Sequence, residues 1–172
     1  YNIKVVSGKL KVTPFTDEVT VTITGNTDTK TYDGNKHSVE DYTVDSISNP
    51  LYVQANIRFT GNAKAEGTDA GEYPMGLEAA DFANKNTNFT NVKFTVEDGK
   101  LVINPRQVTL TSETASKKYD GEALTKPDVT VTDDGFVDGE VSEIKATGSV
   151  TNVSQGKVTN TITFKPEANF KA

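Results

Sequence analysis

The sequence lacks several residue types on which protein chemistry often depends. It contains no Cys and no Trp, and it has one Met and one His. Zinc is held mainly by Cys and His, so no zinc site is expected. A nucleophilic triad would need His37 beside an activated Ser or Thr and an acid, and its neighbours Asn35, Lys36 and Ser38 do not suggest one. His37 is therefore interpreted as a solvated loop residue.

The chain also lacks an excess of positive charge and any long apolar run. It has 18 Lys and Arg against 24 Asp and Glu, for a formal net charge of -6. That balance argues against a nucleic-acid partner, because no basic excess neutralises phosphates. It argues equally against a polybasic membrane contact. No apolar run approaches spanning length, so no membrane insertion is expected in this fragment.

What the sequence has in abundance is β-branched residues. Thr occurs 25 times and Val 19 times, and both favour the pleated surface of a sheet. Apolar and polar residues alternate over 53–59 and 92–97, which predicts antiparallel strands with one wet face. Only Leu77–Ala83 reads as helical. The composition predicts an all-β chain. The stretch that contains Leu77–Ala83 is shorter in the second half, with 17 positions from Gly71 to Asn88 against 13 from Gly156 to Asn169, so it is not a core helix. This favours two tandem small β-sandwich repeats of immunoglobulin-like type, with a β-grasp-like fold as the alternative.

An internal repeat organises the chain. Thr31-Tyr32-Asp33-Gly34 returns as Lys118-Tyr119-Asp120-Gly121, and the apolar stretch before each motif also matches. Gly71 follows Tyr32 by 39 positions, and Gly156 follows Tyr119 by 37. These spacings predict two repeats of similar length.

The boundaries of the repeats follow from their closing segments. The first repeat ends in two apolar runs joined by Asp98-Gly99, which predicts a β-hairpin before Pro105. A similar pair of runs, joined by Ser7-Gly8 and ended by Pro14, opens the chain. We therefore assign residues 1–14 as the closing hairpin of a preceding repeat, 15–105 as the first complete repeat and 106–172 as a second repeat lacking its closing hairpin. The hairpin at 1–14 has two possible positions: it packs on its own first repeat, or it completes the sheet of another molecule by strand exchange.

Taken together, these motifs resemble the YDG-type or MBG tandem repeats of large bacterial cell-surface proteins, especially those of Gram-positive bacteria. The resemblance rests on the two Tyr-Asp-Gly motifs, on Gly-Thr-Asp-Ala-Gly-Glu-Tyr at 67–73 and on Gly-Lys-Leu-Lys-Val-Thr-Pro at 8–14. It covers essentially the whole chain. It implies an exported protein on the bacterial cell surface, anchored to the cell wall through regions outside this fragment. It does not imply a ligand.

Each candidate site also has a structural interpretation. Tyr32-Asp33-Gly34 and Tyr119-Asp120-Gly121 are interpreted as turns anchored by Tyr. Asp69–Tyr73 resembles a turn-and-tyrosine corner. The acidic cluster at 133–140 is interpreted as a charged hairpin loop, with Ca²⁺ binding as the alternative. A Lys–Asn or Lys–Asp isopeptide cross-link is a further alternative. The sequence does not single out the lysine, the Asn or Asp and the neighbouring acid that it would need. Exposed aromatic residues for glycan binding are limited to a few Phe and to Tyr42, Tyr52 and Tyr73.

No catalytic, cofactor-binding or metal-binding residue is assigned, and no ligand-binding residue is identified. The predicted function is a structural and adhesive repeat of an extracellular bacterial surface protein, acting as a semi-rigid stalk or spacer that presents a binding region. The alternative is that the repeats themselves bind host mucin glycans or extracellular matrix proteins. An enzyme is not expected. The other expected partners are neighbouring repeats of the same chain.

Overall fold

The computed structural model describes residues 1–171 and is built almost entirely of β-strands. Their order along the chain is β1 Val19–Gly25, β2 Asp28–Thr31, β3 His37–Glu40, β4 Tyr42–Ile47, β5 Ile57–Phe59, β6 Lys64–Gly67, β7 Gly71–Pro74, β8 Phe82–Asn84, β9 Val92–Glu97, β10 Lys100–Asn104, β11 Val108–Ser112, β12 Leu124–Thr125, β13 Val129–Asp133, β14 Val141–Ala146, β15 Ser149–Val150 and β16 Ile162–Pro166. Three 3₁₀ turns lie at Gln54–Asn56, Ala79–Asp81 and Val153–Gln155. The all-β prediction is confirmed.

The described chain divides into two compact units. Unit 1 comprises Tyr1–Thr29, His37–Gly67 and Glu72–Val102. Unit 2 comprises Lys30–Lys36, Thr68–Gly71 and the chain from Ile103 onward. The turn that carries Tyr32 therefore folds with the second half of the chain.

Unit 1 is a two-layer sandwich around a sealed core. One layer has the strand order β4-β1-β9, and β5 pairs with β8 in the other layer. Alternate residues of β1, namely Val19, Val21 and Ile23, are 0% exposed, as period-two alternation requires of an inward face. Aromatic rings close the gap between the layers: Tyr42 lies 5.0 Å from both Phe59 and Phe82 by ring centroids.

The closing strands of the first repeat, 15–105, belong to different sheets. Strand β9 pairs with β1, whereas β10 lies between β2 and β7 in a separate three-stranded sheet. The predicted hairpin with paired arms is therefore wrong, because the chain changes sheet at Asp98-Gly99. The crossing is tight: a Cβ on Gly25 would lie 2.4 Å from the backbone nitrogen of Gly99. No larger residue fits there without a backbone shift.

The predicted antiparallel pairing of the strand over 92–97 is also wrong. Strand β4 runs antiparallel to β1, but β9 runs parallel to it, with Val19 opposite Val92 and Thr24 opposite Glu97. The parallel contact begins earlier still, at a bridge between Phe15 and Phe89. Alternation in the sequence identifies the buried face of a strand but not the direction of its neighbour.

Two local predictions are corrected as well. Within Leu77–Ala83 the structure has only the 3₁₀ turn Ala79–Asp81, and the chain then extends into β8. The 3₁₀ turn Gln54–Asn56 likewise interrupts the predicted strand over 53–59, of which only Ile57–Phe59 is extended and paired. A β-grasp fold packs its sheet on a helix, and residues 1–171 contain no α-helix.

Unit 2 repeats the pairing of unit 1 with fewer strands. Ile23 of β1 faces Val44 of β4, and Leu110 of β11 faces Val131 of β13, with both residues shifted by the same 87 positions. The pairs β12–β15 and β14–β16 repeat β3–β6 and β5–β8. Within residues 1–171, β11 has no second strand on its other side.

Candidate functional site

The one buried charged side chain among residues 1–171, Glu140, forms a pair with a tyrosine in unit 2. Tyr32 is 7% exposed and Glu140 is 5% exposed, and the Tyr32 hydroxyl donates a hydrogen bond to a Glu140 carboxylate oxygen. This hydrogen bond is the main cause that raises the pKa of Tyr32 to about 12, and burial adds to it. Because the phenol stays protonated at neutral pH, Tyr32 acts as a hydrogen-bond donor to Glu140. Its hydroxyl is not available as a proton acceptor, so the pair has a structural role.

Arg106 holds the backbone around this pair. Its Nε donates to the carbonyl of Gly135 at 2.7 Å, and its Nη1 donates to the carbonyl of Tyr32 at 3.2 Å. Its Nη2 donates to the carbonyl of Asp134. A guanidinium carries five N–H donors in a planar fork, and here three carbonyls use that geometry. Arg106 therefore clamps a loop and a turn together within unit 2.

A cavity of about 490 Å³ adjoins the pair, and its apolar walls include Phe136 and Phe170. Two polar side chains that line the cavity form hydrogen bonds within the protein. Glu140 accepts one from Tyr32, and Arg106 donates to backbone carbonyls. Asp69 contributes a carboxylate that forms an ion pair with Lys171, at 3.6 Å. The arrangement holds a turn in place and presents no nucleophile beside a base.

The two Tyr-Asp-Gly motifs form the same turn but place Tyr differently. Asp33 accepts the N–H of Asn35 at 2.9 Å, and Asp120 accepts the N–H of Glu122 at 3.0 Å. Both following glycines have positive φ, 78° at Gly34 and 86° at Gly121, which confirms the predicted turn geometry. Tyr32 is buried, as predicted for an anchor, whereas Tyr119 is 66% exposed. The anchoring prediction is therefore wrong for Tyr119.

The acidic cluster at 133–140 does not converge on a single point. One Asp134 carboxylate oxygen accepts the N–H of Gln107 at 2.8 Å, and Glu140 turns inward to Tyr32. Residues 1–171 contain no group of three or more His, Asp or Glu side chains able to hold a metal ion. This geometry gives no support to Ca²⁺ binding, because the carboxylates of Asp134 and Glu140 accept hydrogen bonds from different groups.

The structure also gives no support to the isopeptide cross-link. That chemistry needs a buried lysine beside an Asn or Asp and an acid. Glu140 is the only buried charged side chain among residues 1–171, so no lysine is buried beside it. His37 is half-buried at the first position of β3, opposite Gly67, which corrects its interpretation as a loop residue.

The aromatic residues considered for glycan binding lie mostly inside unit 1. Tyr52 is 2% exposed, and Tyr42 packs against the core beside Val44. Burial raises the pKa of both hydroxyls. The ring of Tyr73 lies over Gly67, where an added Cβ would come within 2.3 Å of it. These three residues therefore do not form an open aromatic face.

Sequence reasoning missed both partners of Tyr32. Glu140 is 108 positions away from it, and the sequence pattern places Glu140 in an acidic loop cluster. Arg106 follows a proline at a repeat junction, and no motif in the sequence marks it. The sequence feature that distinguishes Arg106 is its rarity. It is one of two arginines in a chain whose other basic residues, apart from one His, are lysines.

Comparison with known proteins identifies the family of the chain. None of the helices formed by the described residues is long and apolar enough to cross a membrane. Neither the characterised proteins nor the solved structures give a significant match. The family model described as MBG domain matches residues 19–105, which is half of the chain and spans β1 to the end of β10. The chain belongs to the MBG domain family.

Proposed function

We propose that this chain is a load-bearing repeat segment of an extracellular bacterial surface protein, acting as a semi-rigid stalk or spacer that presents a binding region. The observation that carries the proposal is the parallel pairing of β1 with β9. These strands lie near the two ends of the matched family region, 19–105. Tension applied along the chain therefore acts on the ladder that joins them.

The direction of pairing determines how that ladder carries force. When the leading end of one parallel strand and the trailing end of its neighbour are pulled apart, all hydrogen bonds between them are loaded at once, in shear. Strands pulled apart from the same end instead lose their bonds one after another. The ladder here runs from Val19 opposite Val92 to Thr24 opposite Glu97, with an additional bridge from Phe15 to Phe89. This geometry supports a mechanical role.

The rest of unit 1 fits the same role. Its core residues on β1 are fully buried, and polar alternation keeps the outer faces soluble. A spacer needs stability and resistance to proteolysis, and it needs no catalytic residues. We accordingly propose that the segment is not an enzyme and that it functions outside the cell, attached to the cell wall through other regions of its protein.

The direct test is single-molecule pulling on the full chain, with and without Thr95→Pro. The ladder begins with the Val19 N–H on the Asn91 carbonyl, at 2.9 Å, so its alternation assigns the Thr95 N–H to the carbonyl of Val21. Proline removes that donor and leaves a buried carbonyl without its partner, which costs about 1–3 kcal/mol. We expect the rupture force of unit 1 to fall clearly.

The matched control is Thr95→Ala, which keeps the backbone N–H at an exposed position of β9. It is expected to change stability by no more than about 0.5 kcal/mol and to keep the rupture force. Equal rupture forces for the alanine and proline variants would contradict the shear clamp. Saturable binding of the unmodified chain to a mucin, glycan or matrix-protein panel, competed by one defined sugar, would replace the spacer with a binding module.

A further inference from the structure

The chain contains five Asp-Gly dipeptides, a sequence at which aspartate can rearrange to isoaspartate. The five aspartates are Asp33, Asp98, Asp120, Asp134 and Asp138. Because Gly has no Cβ, its amide nitrogen lies unshielded beside the carboxyl group of the preceding aspartate. The local sequence does not distinguish the five dipeptides, so the fold decides which of them reacts.

Four of the five carboxylates are held by the fold. Each accepts at least one backbone N–H at 2.8–3.0 Å: Asp33 from Asn35, Asp98 from Gly76 and Leu77, Asp120 from Glu122, and Asp134 from Gln107. Asp120 also forms an ion pair with Lys117, at 2.8 Å. Rearrangement requires the carboxyl group to leave these donors and turn toward the amide nitrogen of the next residue. The loss of these hydrogen bonds therefore slows the reaction at the four positions.

Asp138 lacks such a restraint. Among the residues that the structure describes, none forms a hydrogen bond or an ion pair with its carboxylate. Asp138 and Gly139 are both exposed, and a Cβ on Gly139 would meet no atom within 4 Å. The Asp138 carboxyl group can therefore turn toward the Gly139 nitrogen without first breaking a contact.

The exposed tip is a property of this turn in both units. In unit 2 the Glu140 N–H donates to the Val137 carbonyl at 3.2 Å, between β13 and β14. In unit 1 the Tyr52 N–H donates to the Asn49 carbonyl at 3.1 Å, between β4 and β5. Leu51 at the tip of the unit 1 turn is 77% exposed, and Tyr52 after it is 2% exposed. An exposed tip is thus followed directly by a buried residue, which in unit 2 is Glu140.

We propose that Asp138 is the aspartate that isomerises in the folded chain, and that its isomerisation releases Glu140 from Tyr32. The Gly139 nitrogen bonds to the Asp138 carboxyl carbon, and the carboxyl hydroxyl leaves as water with the amide proton. Water then opens the resulting succinimide at either carbonyl. Addition at the main-chain carbonyl breaks its bond to nitrogen and leaves isoaspartate, whereas addition at the side-chain carbonyl restores Asp138. No oxidant or reductant takes part, and the mass of the chain is unchanged.

Isoaspartate lengthens the main chain directly before Glu140. It routes the backbone through the Asp138 side chain and so adds one carbon–carbon bond, of about 1.5 Å. The turn is closed by the Glu140 N–H on the Val137 carbonyl, and the Glu140 carbonyl accepts from the Glu167 N–H at 2.8 Å. A turn with one more backbone atom no longer holds Glu140 in this position, and a hydrogen bond weakens steeply when its geometry is lost. The contact with Tyr32 is therefore lost, whether or not the chain has the mechanical function proposed above.

Incubation of the full chain in heavy-oxygen water measures the reaction at each dipeptide. Every opening of a succinimide introduces one heavy oxygen, which mass spectrometry locates after digestion in ordinary water. Electron-transfer fragmentation then distinguishes isoaspartate from aspartate. In the folded chain, Asp138 should incorporate the label at least tenfold faster than the aspartates of the other four dipeptides. In denaturant the five rates should become similar, because the fold no longer holds the other four carboxylates.

The consequence for Tyr32 is tested by a thermodynamic cycle. Chain that carries isoaspartate at position 138 is separated by chromatography and unfolded in denaturant. Its midpoint should lie below that of the unmodified chain. The same conversion in Tyr32→Phe should lower the midpoint by less than half as much, because that variant has already lost the hydroxyl that donates to Glu140.

The matched control is Asp138→Glu, which keeps the charge at an exposed position. Its carboxyl group would have to close a six-membered ring, which forms much more slowly than the five-membered succinimide, so incubation should leave its midpoint unchanged. A labelling rate at Asp138 no higher than that at Asp120, which is also exposed, would overturn the proposal. So would a midpoint that isomerisation does not lower, or one that it lowers equally in the unmodified chain and in Tyr32→Phe.

Discussion

At the scale of single residues, Tyr32 shows what local sequence can and cannot predict. The Asp-Gly pair after it predicts the turn, because Asp accepts a nearby backbone N–H and Gly adopts positive φ. Those interactions lie within four residues of one another. The partner that buries Tyr32, Glu140, is 108 positions away, so no local pattern connects them. The same motif at Tyr119 leaves its ring exposed, which shows that tertiary context decides the role of the side chain.

Tyr32→Phe should destabilise the chain because it removes the hydroxyl that donates to a buried carboxylate. We expect a loss of about 1–3 kcal/mol in the free energy of unfolding at neutral pH. Since the folded pKa of Tyr32 is raised from 10.0 to about 12, its contribution is complete below pH 10 and is lost as the pH rises through about 12. Chemical denaturation followed by circular dichroism gives the stability, and ultraviolet difference titration gives the pKa.

Glu140→Gln is the matched variant for this pair, because an amide oxygen still accepts from the phenol but carries no charge. The pKa of Tyr32 should then fall toward its ordinary value, since the charged acceptor is gone. If the late-titrating tyrosine signal persists unchanged in both variants, Tyr32 is not its source.

At the scale of elements, alternation predicted strand faces well and strand partners poorly. Phe94 and Val96 point inward from β9 as predicted. The same pattern over 53–59 extends through a 3₁₀ turn at Gln54–Asn56, because a single short turn does not break an apolar alternation. Neither the parallel direction of β9 nor its separation from β10 leaves a signal in the period of the sequence. Both follow from how the layers pack.

The corner between β9 and β10 depends on Asp98 as well as on Gly99. The Asp98 carboxylate accepts the N–H groups of Gly76 and Leu77, at 2.9 and 2.8 Å. Asp98→Ala removes both hydrogen bonds, one of them partly buried, and should lower the free energy of unfolding by about 1–3 kcal/mol. Denaturant titration of this variant beside Glu97→Ala, an exposed neighbour expected to change stability by no more than about 0.5 kcal/mol, checks the claim. Equal midpoints for the two would show that the corner does not need Asp98.

At the scale of the whole molecule, the two units differ in how completely their cores are closed. Unit 1 buries Val21 and Ile23 fully, and unit 2 leaves Val108 and Leu110 half-buried in the same register. The repeat spacing predicted two units from sequence. The sequence could not predict that the turn at 30–36 folds with unit 2, because its contacts there are distant along the chain.

Native-state hydrogen exchange should resolve this difference between the units. Amides of β1 are expected to exchange at least tenfold more slowly than those of β11, which corresponds to about 1.4 kcal/mol of local stability. The physical reason is that β1 is paired on both sides, by β4 and β9, whereas β11 is paired on one side only. Comparing β4 with β13 controls for sheet position, since each lies at the edge of its sheet. Equal protection of β1 and β11 would contradict the expectation that pairing on both sides, rather than on one, sets the local stability of these strands.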